Sequence, residues 1–246
     1  MTRAIILAAG RGSRMGQLTA EQPKCFACLH GRRLLDWQLD ALRVAGIERL
    51  SLVRGYRGEC FDEPLTYFEN PRWQQSNMVR TLLAADTWLA AETCIVSYSD
   101  IFYSAATVVR LSQVEADLAI AYDPHWHSLW SQRFADPLAD AESFRLDANG
   151  RLATIGERCQ SVTEIQGQYM GLLKFTPVGW AQVRALLQQL DDAAVDRLDM
   201  TSLLRLLLQA GMPIAVSPVQ GPWGEVDAAD DLALYHRIVP LAEMAP

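Results

Sequence analysis

The stretch AIILAAGRGSRMG, residues 4–16, is an apolar run that ends abruptly in a loop with three glycines and two arginines. Its first six residues, AIILAA, are bounded by glycine and read as a fully buried strand. Glycines after such a strand let backbone N–H groups approach oxygens closely, which is a common way to cradle phosphate. Two familiar versions of that cradle fail. The G-x-G-x-x-G pattern has Gly10 and Gly12, but position 15 is Met and the third glycine comes at Gly16. No G-K-[ST] follows, so the P-loop pattern fails too. An ordinary strand–helix turn is the plain alternative.

The next segment favours the phosphate reading. TAEQPKC, residues 19–25, places Pro23 and Lys24 a short loop downstream. Proline stiffens the chain in front of the lysine. Arg11, Arg14 and Lys24 can then converge on the glycine loop, three cations in a chain of net charge −7. A triphosphate needs both backbone donors and cations.

Working outward, strand and helix alternate. LLDWQLDALRVAG (residues 34–46) has helical spacing and ends at Gly46, and RLSLVRG (49–55) is a strand. Met78, Leu82, Ala85 and Leu89 recur at helical spacing, with Asn77 as the cap. TCIVSYSD (93–100) is a strand running into an acidic loop, SAATVVRLSQV (104–114) a helix and DLAIAY (117–122) a strand. SFRLDANGRLATIGE reads as a hairpin turning at Asn149-Gly150. GLLKF (171–175) and PIAVSPV (213–219) are strands; residues 178–190, 200–211 and 228–239 are helices. This order predicts an α/β fold: a mostly parallel, Rossmann-like sheet flanked by helices. A β-rich excursion at about 123–170 is expected to cover one end of a single domain spanning 1–246.

The chain's 246 residues are 50% hydrophobic and 21% charged, the balance of a globular protein. The net charge of −7 argues against nucleic-acid backbone binding but not against small anionic ligands. No apolar run reaches the ~20 residues of a membrane span. The N-terminal run lacks a signal peptide's longer apolar region and cleavage site, so a cytoplasmic place is expected. The five cysteines are expected as reduced thiols. The lone C-x-x-C of Cys25 and Cys28 reads as packing in a short strand.

LAAGRGSRMG followed by PKC resembles the signature of sugar-nucleotide-type nucleotidyltransferases, L-A-A-G-x-G-[ST]-R-[LM] and then P-K. The resemblance implies nucleotide contacts from Leu7, Ala8, Ala9, Gly10, Gly12 and Arg14. It places Arg14 along the leaving pyrophosphate and Lys24 on the α-phosphate; Arg11 occupies a variable position. VRGYRGE, with Gly55 and Tyr56, and ENPRWQQSNMVRTLL, with Ser76 and Asn77, resemble segments of the cytidylyltransferase branch and imply CTP. Ser99 completes the implied nucleotide set. That branch acts on phosphocholine, aminoethylphosphonate or phosphoglutamine, and the loops of the second half are most similar to the phosphoglutamine group.

Triphosphate chemistry uses Mg²⁺ held by hard oxygens. Asp100 ends a strand, where α/β folds bind ligands. Asp227 precedes the last helix and is either a metal ligand or that helix's N-cap. The resemblance puts one metal aspartate at each place, so Arg14, Lys24, Asp100 and Asp227 are the expected catalytic set. Glu225 points the same way as Asp227 in extended chain. For the acceptor, Trp126, Trp130 and Tyr169 could wall a quaternary ammonium. Arg133 and Lys174 would suit a carboxylate, and Asp123 or Glu164 an amine. Lid packing is the plain alternative for the tryptophans. His125 and His127 read as exposed loop residues. The expected partners are small molecules, with a homodimer left open. Rival readings are a sugar-1-phosphate nucleotidyltransferase, a nucleotide sensor without turnover and a glycosyltransferase of related fold.

Overall fold

A computed structural model describes residues 1–244. Seven strands form the central sheet: β1 (Arg3–Ala8), β2 (Leu50–Arg54), β3 (Thr66–Glu69), β4 (Cys94–Tyr98), β5 (Leu118–Asp123), β6 (Gln168–Phe175) and β7 (Ala215–Pro218). Their spatial order is β7-β5-β6-β4-β1-β2-β3. Every neighbouring pair is parallel except the two made by β6, which runs against β4 and β5. The mostly parallel sheet expected from the strand–helix alternation is present. All six residues of β1 are buried, as a strand covered on both faces requires.

Register sets what meets what. Leu7 of β1 lies opposite Val53 of β2 and Tyr98 of β4. The loops after Ala8, Arg54 and Tyr98 therefore leave the sheet at one edge. Because β6 is reversed, its first residues, Gln168 and Tyr169, reach that same edge beside Asp123 and Tyr122. Lys174, near its other end, lies opposite Ile95 and Ala119. The β6 ladder is irregular between Tyr169 and Leu173, where Gly171 has φ +81°. A Cβ at Gly171 would sit 2.7 Å from the Tyr98 ring, so only glycine lets Tyr98 lie there.

Helices of the molecule include α1 (Leu34–Val44), α2 (Met78–Leu83), α3 (Trp126–Arg133), α4 (Asp192–Arg197), α5 (Met200–Gln209) and α6 (Ala229–Ile238). Helix α1 stops just before Gly46, as expected. Asn77 caps α2 by accepting from the Met78 N–H at 2.8 Å. The longer helix expected through Leu89 breaks after Leu83 and resumes at Asp86–Leu89. The expected hairpin is Glu142–Leu146 with Leu152–Arg158, and Asp147 ties its turn by accepting from the N–H groups of Asn149 and Arg151. The excursion at 123–170 carries this antiparallel hairpin, as expected, and opens with α3. His127 lies on that helix rather than in a loop; His125 and His127 are both exposed. Cys25 is buried in the 3-10 turn Lys24–Phe26, just ahead of the expected short strand, which is Cys28–Leu29 and leaves Cys28 exposed.

Two apolar clusters hold the molecule. The larger surrounds the sheet. The smaller joins Met15 from the glycine loop, Leu34 and Trp37 from α1, Phe102, Val226 and Tyr235. Each such side chain contributes roughly 1.5–3 kcal/mol on leaving water. This small core therefore fixes the loop against the segment that carries Asp227.

Candidate active site

The glycine loop leaves β1 and turns through 3-10 geometry at Ser13–Thr19, kinked at Gly16. Gly12 is left-handed at φ +64°, and a Cβ there would lie 2.8 Å from Cδ of Lys24. The lysine stem thus lies directly across the glycine, and an L side chain would be both strained and in its way. The Thr19 hydroxyl donates to the Gly12 carbonyl at 3.0 Å. Tyr56 supports the loop from behind: its hydroxyl donates to the Thr19 carbonyl at 2.9 Å, and its N–H to the Ala9 carbonyl at 2.9 Å.

The acidic side of the site is built by a short antiparallel ladder. Trp223–Glu225 pairs with Ile101–Tyr103, with Glu225 opposite Ile101. The Val226 N–H then donates to the Asp100 carbonyl at 2.9 Å. Asp100 and Asp227 come together because the two ends of this ladder are adjacent. Carboxylate oxygens of Asp100, Glu225 and Asp227 lie within 4.8 Å of one another. Lys24 Nζ donates to Asp100 Oδ2 at 2.7 Å and to Asp227 Oδ1 at 2.8 Å. Arg14 donates to the same Asp227 oxygen at 2.7 Å. Behind them, Asp231 accepts from the N–H groups of Asp227 and Ala228 at 2.8 and 2.9 Å. Arg133, its side chain wholly buried, donates to Asp231 at 2.9 Å and reaches Asp227 at 3.4 Å.

These contacts set the charges. Burial works against the Lys24 ammonium, but the carboxylates of Asp100 and Asp227 outweigh it and raise its pKa above the ordinary value. Asp227 is held below the usual carboxylate range: burial opposes ionisation, and Lys24, Arg14 and Arg133 overcome it. Glu225 goes the other way. Burial, then the charges of Asp227 and Asp100, push its carboxyl up to about 8.

Three connected hollows open along this edge. A cleft of about 250 Å³ lies over Gly10, Gly12, Arg14, Lys24, Ser99 and Asp100, with Leu7 on its floor. A recess of about 100 Å³ on one side is walled by Ala9, Trp73, Ser76, Asn77, Met78 and Thr81. A recess of about 170 Å³ shares Arg14 and Tyr98 with the cleft and is lined by Asp140, Glu142, Gln168, Tyr169, Thr201 and Glu225. Ala8, buried at the end of β1, and Gly55, which packs against Trp73 and the Ala9 carbonyl, line none of the three hollows. A larger hollow, of about 430 Å³, lies elsewhere, between α2 and residues 184–195.

Six residues expected at the acceptor end lie otherwise. Trp126 and Trp130 are 3% and 0% exposed. Their indole N–H groups donate to the Ile165 carbonyl and to Asp140, so they pack the lid rather than wall a pocket. Arg133 is spent on Asp231, Asp227 and Glu225. Asp123 is buried and accepts from the Trp223 indole at 2.9 Å. Lys174 lies at the opposite edge of the sheet, donating to the Ser112 and Val114 carbonyls. Glu164 sits on the 3-10 turn Val162–Glu164, outside all three hollows. Of the residues expected at the acceptor, Tyr169 and Glu225 do line the recess. Trp73, Asp140, Glu142, Gln168 and Thr201 line hollows without having been singled out as site residues, although they lie in ENPRWQQSNMVRTLL and the second-half loops, the segments that resemble the cytidylyltransferase branch.

The chain is 34% identical to the CTP:phosphoglutamine cytidylyltransferase of Campylobacter jejuni, over 93% of this chain and 97% of that protein. It is 30% identical to the 2-aminoethylphosphonate cytidylyltransferase of Lancefieldella rimae, over 63% of this chain and 61% of that protein. The fold matches the inositol-1-phosphate CTP transferase of T. maritima with a TM-score of 0.75 at 20% identity, covering 97% of each chain. Residues 4–162 match the MobA-like NTP transferase domain, so the chain belongs to that family and is a nucleotidyltransferase.

Proposed function

We propose that this chain transfers CMP from CTP to a small phosphorylated acceptor bearing an amine, with glutamine phosphoramidate (phosphoglutamine) the first choice, and releases pyrophosphate. The observation that carries this reading is Lys24 Nζ, lodged between Asp100 and Asp227 across the glycine loop, with one recess on each side of it. The smaller recess has the size and mixed lining for a base. The other is strongly acidic, so it favours an acceptor with a positive group. With Trp126 and Trp130 in the core, a quaternary ammonium keeps only Tyr169 of its three expected aromatic walls, with Tyr98 beside it, and the acidic oxygens of Asp140 and Glu142 suit an N–H donor better. The near full-length relative that acts on phosphoglutamine points the same way.

The donor set fits a hard divalent cation. Asp100, Glu225 and Asp227 offer carboxylate oxygens, and Asp100 Oδ1 is buried with no hydrogen-bond partner among the described residues. Mg²⁺ held by Asp100 and Asp227 would supply Lewis-acid stabilisation of triphosphate charge. The chain's own residues do the rest. Backbone N–H groups and Gly12 let the phosphates approach. Lys24 turns from the carboxylates toward an α-phosphate oxygen, and Arg14, which is largely exposed, follows the pyrophosphate. An acceptor oxygen bonds to the α-phosphorus while the bond to pyrophosphate breaks, the electron pair leaving with pyrophosphate. That oxygen is already anionic near neutral pH, so no strong general base is needed, and catalysis is positioning and charge stabilisation.

The test is pyrophosphate release with Mg²⁺, each of the four NTPs being offered with phosphoglutamine, aminoethylphosphonate, phosphocholine and glucose-1-phosphate. Release with CTP and an amine-bearing acceptor is expected. Release only with glucose-1-phosphate would move the chain to the sugar branch.

A further inference from the structure

Asp196 is a buried carboxylate that no step above uses. It lies in α4 and is 6% exposed. Its Oδ1 accepts from Arg80 Nε at 2.6 Å, and its Oδ2 accepts from the Arg72 guanidinium. Its backbone carbonyl accepts the Asn77 N–H at 2.7 Å, and the Leu198 carbonyl accepts the Val79 N–H at 3.3 Å. Asp192, one turn earlier, adds a second anchor for Arg80 at 3.0 Å.

Arg72 and Arg80 flank the segment that carries Trp73, Ser76, Asn77 and Met78, which wall the smaller recess. From residue 71 to residue 80 only Val79 is buried, so this wall has almost no apolar anchor of its own. Asn70 ties the segment locally, donating to Ser76 Oγ at 3.1 Å and Thr81 Oγ1 at 3.0 Å. Trp73 packs against Gly55 and Tyr56 and Val79 enters the core, but the charged ties of the segment to the body of the protein converge on Asp196, with Asp192 beside it. Two charge-assisted hydrogen bonds from planar guanidinium groups fix direction as well as distance.

We propose that Asp196 is a positioning residue for the nucleotide. It touches no substrate; through Arg72 and Arg80 it sets the wall of the recess that receives the base, and so governs nucleotide affinity and base choice rather than the chemical step. This rests on the reading that the smaller recess takes the base of an NTP.

The test compares the wild-type chain with Asp196→Asn and Arg72→Gln, measuring pyrophosphate release, binding of each NTP by calorimetry, and thermal melting. Arg72 is half-exposed, so its variant keeps the fold if Asp196→Asn does not. Expected in both is a KM for the preferred NTP raised about tenfold, kcat within about threefold and acceptor KM within about twofold of wild type. The preference for that NTP over the other three should narrow. A lowered melting temperature with unchanged nucleotide KM would overturn the proposal, leaving the ion pairs a structural tie only. A fall in kcat at constant KM would overturn it too. If the wild-type chain binds none of the four nucleotides, the proposed function fails along with this inference; if wild type binds and the variants bind equally well, this inference alone fails.

Discussion

Lys24 Nζ donates to Asp227 Oδ1 at 2.8 Å, joining residues 203 positions apart in the chain. Both side chains are about nine-tenths buried. The lysine is thus the internal counter-ion of a carboxylate cluster and also lines the cleft over Gly10 and Gly12. Removing it leaves the carboxylates to repel one another. Breaking one partner of such a buried pair costs about 3–5 kcal/mol. Lys24→Ala is expected to lower turnover at least about 100-fold and to melt earlier than wild type in a chelator. Added Mg²⁺ should restore more melting temperature to the variant than it adds to wild type. Pyrophosphate-release assays and melts with and without Mg²⁺ check this, and undiminished turnover would remove Lys24 from the site.

Asp100 Oδ2 is held by Lys24, while Oδ1 is buried and has no partner among the described residues. A buried oxygen without a donor is costly unless something fills the gap. Removal of divalent metal is therefore expected to abolish turnover. Asp100→Asn should shift the Mg²⁺ concentration for half-maximal rate upward by about tenfold or more, since a neutral amide is a poorer ligand for a hard cation. A Mg²⁺ activation curve that stays in place in Asp100→Asn would take that residue out of the metal site.

The metal-free protein should also show a pH signature. Glu225 is pushed up to about 8 from an ordinary 4.5 by burial and by Asp227 and Asp100. Between those values the folded chain holds a proton that the unfolded chain has lost. Stability then falls as pH rises from about 4.5 and levels off above about 8. In a chelator, the melting temperature of wild type is expected to drop across this window, and that of Glu225→Gln to drop less. Parallel profiles for the two proteins would remove Glu225 as the source.

How much of this was legible depended on whether the signal was local. The glycine loop, Arg14 and Lys24 sit in one composite stretch whose spacing carries their chemistry. Asp100 was legible because a carboxylate ending a parallel strand lies where such sheets bind ligands. Lys174 misled because nothing local shows that β6 runs backwards, which carries its far end away from the site. Trp126 and Trp130 carried the opposite clue. They are four apart on a helix, so they share one face, and that face is the core. Asp196 had no local signal, because its partners are more than a hundred residues away.

Glu142 is the residue that should decide acceptor choice. It comes from the hairpin strand Glu142–Leu146 and lines the acidic recess with Asp140, Gln168 and Tyr169. Burial, then the carboxylates of Asp199 and Asp140, raise its pKa above the ordinary value. An arriving ammonium would relieve both effects, restoring the charged form by pairing it. Glu142→Gln keeps the shape and one acceptor oxygen but loses the charge. It is expected to raise KM for phosphoglutamine or aminoethylphosphonate about tenfold, with KM for CTP unchanged. An acceptor analogue lacking the amine should be used equally poorly by both proteins, because it cannot exploit the carboxylate. If Glu142→Gln instead handles amine-bearing and amine-free acceptors as wild type does, the recess is not where the acceptor's positive group sits.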